Sequence, residues 1–414
     1  MATSRATSFA SRAALRASSV APRASSARRA FGAAPMSASD RRKLVEDLAS
    51  RPSTPLSLQD MYNVGEARDA VSAATFLHGE LPIRMAQRIE ELRDLLGAEG
   101  DSIIDYYEAA TAEIASCAPP ATPGAERDFA ATVTALLSDR TSVPVALAAA
   151  IRKLHPFELD RVVPARRLAL DRDLARFFTA RIGLRLLIEH YLALREPGQR
   201  GLIDPRCMPG DVVSAAAYDV ERLARETYGA SPAIAVVGDL DASLTYVRTH
   251  MREAVGELLK NAVRATLEKH GDGSPLPDVR VVVASGASEI TIKVGDEGGG
   301  CPRSTRHDMW SWFWSSAAAP ARRPLDDGRA VARAYGATLS GMGIGLPMTR
   351  CLARYFGGEL ALRPLEGHGT DAYLHLTVLG DEQCEHLPPA ARLSPGELDS
   401  TMSEAYAYFD ERVR

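Results

Sequence analysis

Apolar positions recur every three or four residues through much of 45–228, and every second residue in segments beyond about 232. The first spacing places side chains on one face of a helix, the second on one face of a strand. In "LPIRMAQRIEELRDLLG" the stripe is Met85, Ile89, Leu92 and Leu96, with Pro82 near the predicted start and Gly97 as the stop. "RIGLRLLIEHYLAL" sets Leu184, Leu187, Ile188 and Tyr191 on one face. In "GDVVSAAAYDVERLARETYG" the inward positions are Val213, Ala217, Val220 and Ala224, with Asp211 as N-cap and Gly229 just past the end. Long helices joined by Pro- and Gly-containing links predict an N-terminal helical bundle over 45–228.

The strand-like part begins with "DVRVVVAS" and "EITIKVGD" around the short turn "SGAS", the second alternating Ile290, Ile292 and Val294. "DAYLHLTV" repeats the alternation with Ala372, Leu374, Leu376 and Val378. A helix over "VGELLKNAVRAT" precedes these strands, and another over "LPMTRCLARYFGG" precedes the last ones. The expectation is an α/β sandwich with one helical layer over 232–385, so that the fold class is α + α/β. Residues 386–414 form a Pro-containing acidic tail, and no internal repeat is visible.

Length agrees with two domains, since 414 residues exceed the roughly 250–300 that one core supports. A chain that is 46% hydrophobic and 25% charged is neither a disordered nor a membrane protein by composition. No apolar run approaches the roughly 18 residues of a membrane span. The first 39 residues carry six arginines (Arg5, Arg12, Arg16, Arg23, Arg28 and Arg29), much Ser and Ala, and no acidic residue before Asp40. That is the composition of an organelle transit peptide; a disordered basic tail for nucleic acid is the alternative. The whole chain has 49 basic against 53 acidic residues, and the part after that segment is more acidic still, which argues against a nonspecific nucleic-acid binder. Five scattered cysteines form no CxxC pair or Cys/His cluster, as expected of reduced thiols without disulfide or structural metal.

Four stretches could carry chemistry. On a helix, Glu257, Asn261 and Arg264 of "VGELLKNAVRAT" share one face with Lys260 beside them. A carboxylate, a hard amide oxygen and two cations suit a Mg²⁺-phosphate site, and equally a solvated salt-bridged face. In "VGDEGGGCP", Asp296 ends a strand and is followed by Gly298, Gly299 and Gly300, a place where a flat ring can approach the backbone and an amino group can meet a carboxylate; a polar turn is the plain reading. "SGMGIGLPMTR" runs Gly341, Met342, Gly343, Ile344, Gly345 and Leu346 into a helix with Pro347 in its first turn, leaving free amides that suit phosphates. "GHGTDAYLHL" contributes Thr370 beside a strand.

The order of these parts, more than any one of them, resembles the ATP-binding superfamily of DNA gyrase, histidine kinases and mismatch-repair ATPases. Within it, "ELLKNAVRAT", "GDEGGGCP", "GMGIGLPMTR" and "GHGTDAYLHL" resemble the mitochondrial kinases of the pyruvate and branched-chain α-keto acid dehydrogenase complexes. "LPIRMAQRI" and "RIGLRLLIEHYLAL" are similar to that family's regulatory helical domain, which docks on lipoyl domains. The resemblance spans roughly 45–380 and implies a serine kinase of the mitochondrial matrix. It implies ATP and Mg²⁺, with K⁺ in addition, a homodimer, the E1α subunit as substrate and the lipoyl domain of E2 as docking partner. Glu257 would be the general base, Asn261 the Mg²⁺ ligand, and Lys260 and Arg264 the phosphate partners. Asp296, assisted by Thr370, would read adenine beside Gly298 and Gly300. Ser315, Ser316 and the Gly341–Leu346 loop would complete the nucleotide site, with 301–340 as a lid.

Two departures stand out. Glu253 occupies the position one turn before the base where pyruvate dehydrogenase kinases usually have His, and two carboxylates there would raise one another's pKa. "MWSWFWSSAAAP" holds every tryptophan of the chain, Trp310, Trp312 and Trp314, and has Ser315-Ser316-Ala317 where the family has Ser/Thr-Thr-Ala. That segment reads as packing at the base of the lid or as a partner-facing patch. "HYLAL" and "SPLPDVRVVVA" lean towards branched-chain kinases. Two other functions stay open: a histidine kinase, for which His190 lacks the usual flanking pattern, and a nucleotide-sensing scaffold without phosphotransfer.

Overall fold

The computed structural model describes residues 36–138, 142–154, 164–271, 275–315, 343–378 and 385. Most of the predicted transit segment and the 386–414 tail lie outside them. The first described helix, α1 (Ala38–Ala49), starts within the last residues of that segment and is capped by Ser37, whose hydroxyl accepts from the Asp40 N–H at 3.1 Å.

Six more helices follow: α2 (Leu58–Ala67), α3 (Ala70–Leu96), α4 (Asp101–Ser116), α5 (Pro123–Ser138), α6 (Ser142–Leu154) and α7 (Pro164–Leu194). The stripe positions Met85, Ile89, Leu92 and Leu96 are buried on α3, as are Leu184, Leu187, Ile188 and Tyr191 on α7. The two helices pack against each other. Pro82 does not open its helix. It sits in the interior of α3, which starts at Ala70 behind the Asp69 cap and buries Ala73, Ala74, Leu77 and Leu81 ahead of the proline. Burial of that added stripe offsets the hydrogen bond Pro82 cannot donate.

Helix α8 (Pro209–Tyr228) buries Val213, Ala217, Val220 and Ala224, and ends at Gly229, whose φ of 77° closes the cap through an N–H bond to Arg225 at 3.0 Å. Its N-cap is Met208, with Pro209 opening the helix, and Asp211 lies in the first turn. Pro209 needs no N–H partner there, so the helix begins earlier than a side-chain cap at Asp211 would allow.

Strands β1 (Ile203–Cys207) and β3 (Leu244–Val247) pair antiparallel as a small separate ribbon. The main sheet has five strands in the order β2 (Ile234–Gly238), β4 (Val279–Ser285), β5 (Glu289–Gly295), β7 (Gly369–Thr377) and β6 (Glu359–Leu365). Ile290, Ile292 and Val294 of β5 and Ala372, Leu374 and Leu376 of β7 face the core. Every pair is antiparallel except β2 with β4, which the alternation in the sequence did not announce. Helices α9 (Arg248–His270) and α10 (Gly345–Tyr355) pack on the sheet, and α10 also touches α7. The chain is thus α + α/β, with α10 placed between the helical region and the sheet.

Candidate nucleotide site

Helix α9 is two-faced. Met251, Ala254, Val255, Leu258, Leu259, Ala262 and Val263 are buried, which fixes its rotation and turns Glu257, Lys260, Asn261 and Arg264 together into a cavity of about 600 Å³. The facing wall is the strand-end pair Asp296 and Thr370, with Gly300 between them in the lining. Ser315 and the run Gly343, Ile344, Gly345 and Leu346 close the third side at the N-terminus of α10. Val294, Met309, Leu362 and Ala372 supply apolar floor, so the cavity has one oily end and one charged end.

At the oily end, Asp296 accepts from the N–H of Gly298 at 2.8 Å and of Thr370 at 3.2 Å, both through Oδ1. Burial pushes the Asp296 carboxyl above its ordinary value, against the pull of the two N–H donors. Gly300, at φ 65°, lies so close to Leu365 that a Cβ would stand 2.3 Å from that carbonyl oxygen. At the charged end, Glu257 pairs with Lys260 one turn on. A Cβ on Gly345 would fall 2.6 Å from Glu257 Oε2, so the carboxylate lies directly against the start of α10. Arg264 is largely buried, its Nε has no hydrogen-bond partner among the described residues, and Glu268 Oε1 lies 3.7 Å from it. The arrangement joins a carboxylate, an amide, two cations and a helix N-terminus around space suited to phosphates, with a hydrogen-bond acceptor at the far apolar end.

A family model described as mitochondrial branched-chain alpha-ketoacid dehydrogenase kinase matches residues 55–212, and one described as histidine kinase-, DNA gyrase B- and HSP90-like ATPase matches 246–379. A mitochondrial pyruvate dehydrogenase (acetyl-transferring) kinase of Arabidopsis thaliana is 34% identical, over 84% of this chain and 97% of its own length. The Schizosaccharomyces pombe protein of the same name is 30% identical, over 83% and 97%. That of Drosophila melanogaster is 29% identical, over 86% and 90%. The chain belongs to the mitochondrial α-keto acid dehydrogenase kinase family. It is therefore an ATP-dependent protein kinase, on the ATPase fold shared with histidine kinases and DNA gyrase.

Within the kinase, the structure brings together Glu257, Lys260, Asn261, Arg264, Asp296, Gly300, Ser315, Gly343, Ile344, Gly345, Leu346 and Thr370. Gly298 is not among the lining residues; it supports the site instead, donating to Asp296 and leaving no room for a Cβ, which would meet Ala265 at 2.4 Å. Ser316, Gly341 and Met342 lie outside the described residues, as does most of the 301–340 segment read as a lid. Glu253 is at the mouth of the cavity; crowding there and the neighbouring Glu257 raise its carboxyl. Met309, Trp314 and Leu362 also line the cavity: the first two belong to the tryptophan-rich segment read as packing or a partner-facing patch, and Leu362 comes from a strand with no motif of its own. Val294 and Ala372 could have been found from strand alternation alone. His190 is buried, its Nδ1 accepts from the Leu202 N–H at 3.0 Å, and burial lowers its pKa to about 4. Such a side chain is a packed core residue and no phosphate acceptor. Among the described residues no three His, Cys, Asp or Glu side chains converge as a metal cage.

Proposed function

We propose that this kinase transfers the γ-phosphate of ATP to a serine of the E1α subunit of a mitochondrial α-keto acid dehydrogenase complex and so inactivates it. The observation that carries the reading is Glu257 held against Gly345: a base at the charged end of the cavity, beside a glycine-led helix N-terminus. In this reading Glu257 accepts the serine proton, and Lys260 and Arg264 offset charge on the transferred group. Asp296 takes a hydrogen bond from the adenine amino group, with Thr370, Gly298 and Gly300 shaping that end. Ser315 and Gly343–Leu346 would surround the phosphates, and the family resemblance assigns Ser316, Gly341 and Met342, outside the described residues, to the same task. Asn261, in the cavity lining, would hold Mg²⁺ through its amide oxygen, and the ion would supply charge neutralisation at the phosphates when bound. K⁺ binding is suggested by the family resemblance alone, without an assigned ligand.

Residues 1–39 are the proposed transit peptide to the matrix, 45–228 the regulatory domain that docks on the E2 lipoyl domain, and 232–385 the kinase domain of a homodimer. Pyruvate dehydrogenase is the favoured target, because the relatives matched over most of the chain bear that name; the branched-chain complex is the second, supported by the name of the model matching 55–212.

The test is to offer radiolabelled ATP and Mg²⁺ to the purified kinase with each of the two dehydrogenase complexes. Acid-stable label on one E1α is expected. Glu257→Gln should slow transfer by roughly 10²–10⁴-fold while leaving ATP affinity nearly unchanged. Acid-labile label would instead support a histidine kinase, and ATP binding with label on neither complex a nucleotide-sensing scaffold.

A further inference from the structure

The tryptophan-rich segment makes more contacts than the base of a lid needs. One face of α7 carries Arg167, Asp171, Ala175 and Phe178 at helical spacing, and all four meet this segment or α10. Arg167 donates to Ser311 Oγ at 2.8 Å and pairs with Asp308 at 2.9 Å. Asp171 receives the backbone N–H of Trp312 on its carboxylate at 2.9 Å and the indole N–H on its carbonyl oxygen at 3.1 Å. The buried Trp312 ring lies flat on Phe178, 4.3 Å between centroids and 12° between planes. The Ala175 carbonyl oxygen faces Cys351 Sγ of α10 at 3.9 Å.

On its other side the segment holds the nucleotide loop. Phe313 adopts φ 63°, rare for a bulky residue, and donates its N–H to the Gly343 carbonyl oxygen at 2.9 Å. Gly343, at φ 75°, is pressed so tightly on this backbone that a Cβ would stand 2.2 Å from the Trp314 carbonyl oxygen. The Trp310 ring supports the Arg350 guanidinium of α10 at 4.5 Å. Trp314, Ser315 and Gly343 then line the cavity themselves.

We infer that Trp312 is a positioning residue for the nucleotide site: seated on α7, it sets the place of Gly343 and the N-terminus of α10, and so couples nucleotide binding to the helical region. The inference rests on the nucleotide reading above and goes beyond it. Coupling of this kind is reciprocal, so a nucleotide that tightens Gly343 must also tighten α7. If the segment were inert packing, loosening Trp312 would cost stability and leave nucleotide affinity and α7 indifferent to one another.

The test uses the full-length kinase with ADP and Mg²⁺ as probe, and reads ADP affinity together with amide exchange over 164–178. All three tryptophans lie in this segment, so intrinsic fluorescence reports the same junction directly. In the unsubstituted kinase ADP should slow exchange in 164–178 and shift the emission. Trp312→Leu should weaken ADP by about tenfold, raise KM for ATP with kcat nearly unchanged, and abolish the slowing on α7. Trp312→Phe, which keeps a stacking ring, should retain most of both effects. If Trp312→Leu fails to fold, Arg167→Met cuts the same junction at a less buried point and should weaken the slowing in the same direction. ADP protecting α7 as before in a folded variant, or binding with undiminished affinity, would overturn the coupling. Absence of ADP binding by the unsubstituted kinase would instead overturn the nucleotide reading and the inference built on it.

Discussion

The helical region and the cavity beneath α9 both bury charge, but they finish it differently. In the helical region two networks, around Arg84 and around Glu126, close on themselves, although Arg88 Nε and His190 Nε2 elsewhere in it have no hydrogen-bond partner among the described residues. Arg84 donates to Glu80 at 2.8 Å, to Glu385 at 2.8 Å and to the Thr54 carbonyl oxygen at 2.7 Å, and Glu385 also receives the Tyr355 hydroxyl and the Leu56 N–H. Glu126 likewise gathers Arg195 and the Tyr191 hydroxyl. In the cavity, Arg264 Nε has no hydrogen bond among the described residues, and Asp296 accepts from Gly298 and Thr370 on one oxygen. Desolvation is repaid by partners inside the fold in the Arg84 and Glu126 networks and less completely around Arg264 and Asp296.

That contrast can be broken most sharply at Arg84. Arg84→Met strands two buried carboxylates, Glu80 and Glu385, and should cost about 3–5 kcal/mol of stability by denaturant titration, while ADP affinity of the folded variant barely moves. A stability loss under about 1 kcal/mol would show that the network is not closed as described.

Asp296→Asn asks the opposite. The amide would still accept from Gly298 and Thr370 but present a donor where the proposed adenine contact needs an acceptor. Nucleotide affinity should fall by roughly ten- to a hundredfold, about 1.5–3 kcal/mol, with little change in melting temperature. Because burial raises the Asp296 carboxyl and the ionised form is the competent acceptor, affinity for ADP should weaken on acidification, starting at a higher pH than an ordinary Asp would allow. A flat affinity across that range in the unsubstituted kinase would remove Asp296 from adenine recognition.

A smaller effect belongs to His190. Its pKa is lowered from 6.5 to about 4 by burial, so between those values the unfolded chain binds a proton that the folded chain refuses. Stability from this group is full above pH 6.5 and lost as pH falls, by about 1 kcal/mol between pH 6.5 and 5.5. His190→Gln should flatten that part of the stability curve. An unchanged slope would assign the acid sensitivity to other groups.

Much of the site was legible because α9 is a regular helix. Once Leu258 and Ala262 face inward, Glu257, Asn261 and Arg264 must face outward together. Strand alternation exposed the inward faces of β5 and β7 for the same reason. The start of α3 was misread at Pro82, since a local breaker signal was outweighed by a stripe of buried side chains. Asp211 was misread as a cap for a related reason: Pro209 opened the helix two residues earlier. Strand β2 left no usable signal, being five residues long and paired in parallel with a strand beyond a helix.

The sequence by itself determined which face each regular element would present, and hence which groups could act together along α9 and which family order the motifs follow. Periodicity encodes direction within one element and nothing about partners across the fold. Only the tertiary structure decided that Glu385 would complete the network of Arg84, 301 positions away, that Trp312 would lie on Phe178, and that Glu257 would face Gly345. Those contacts arise from packing α10 between the helical region and the sheet, and packing is satisfied by volume and closure that no local pattern records.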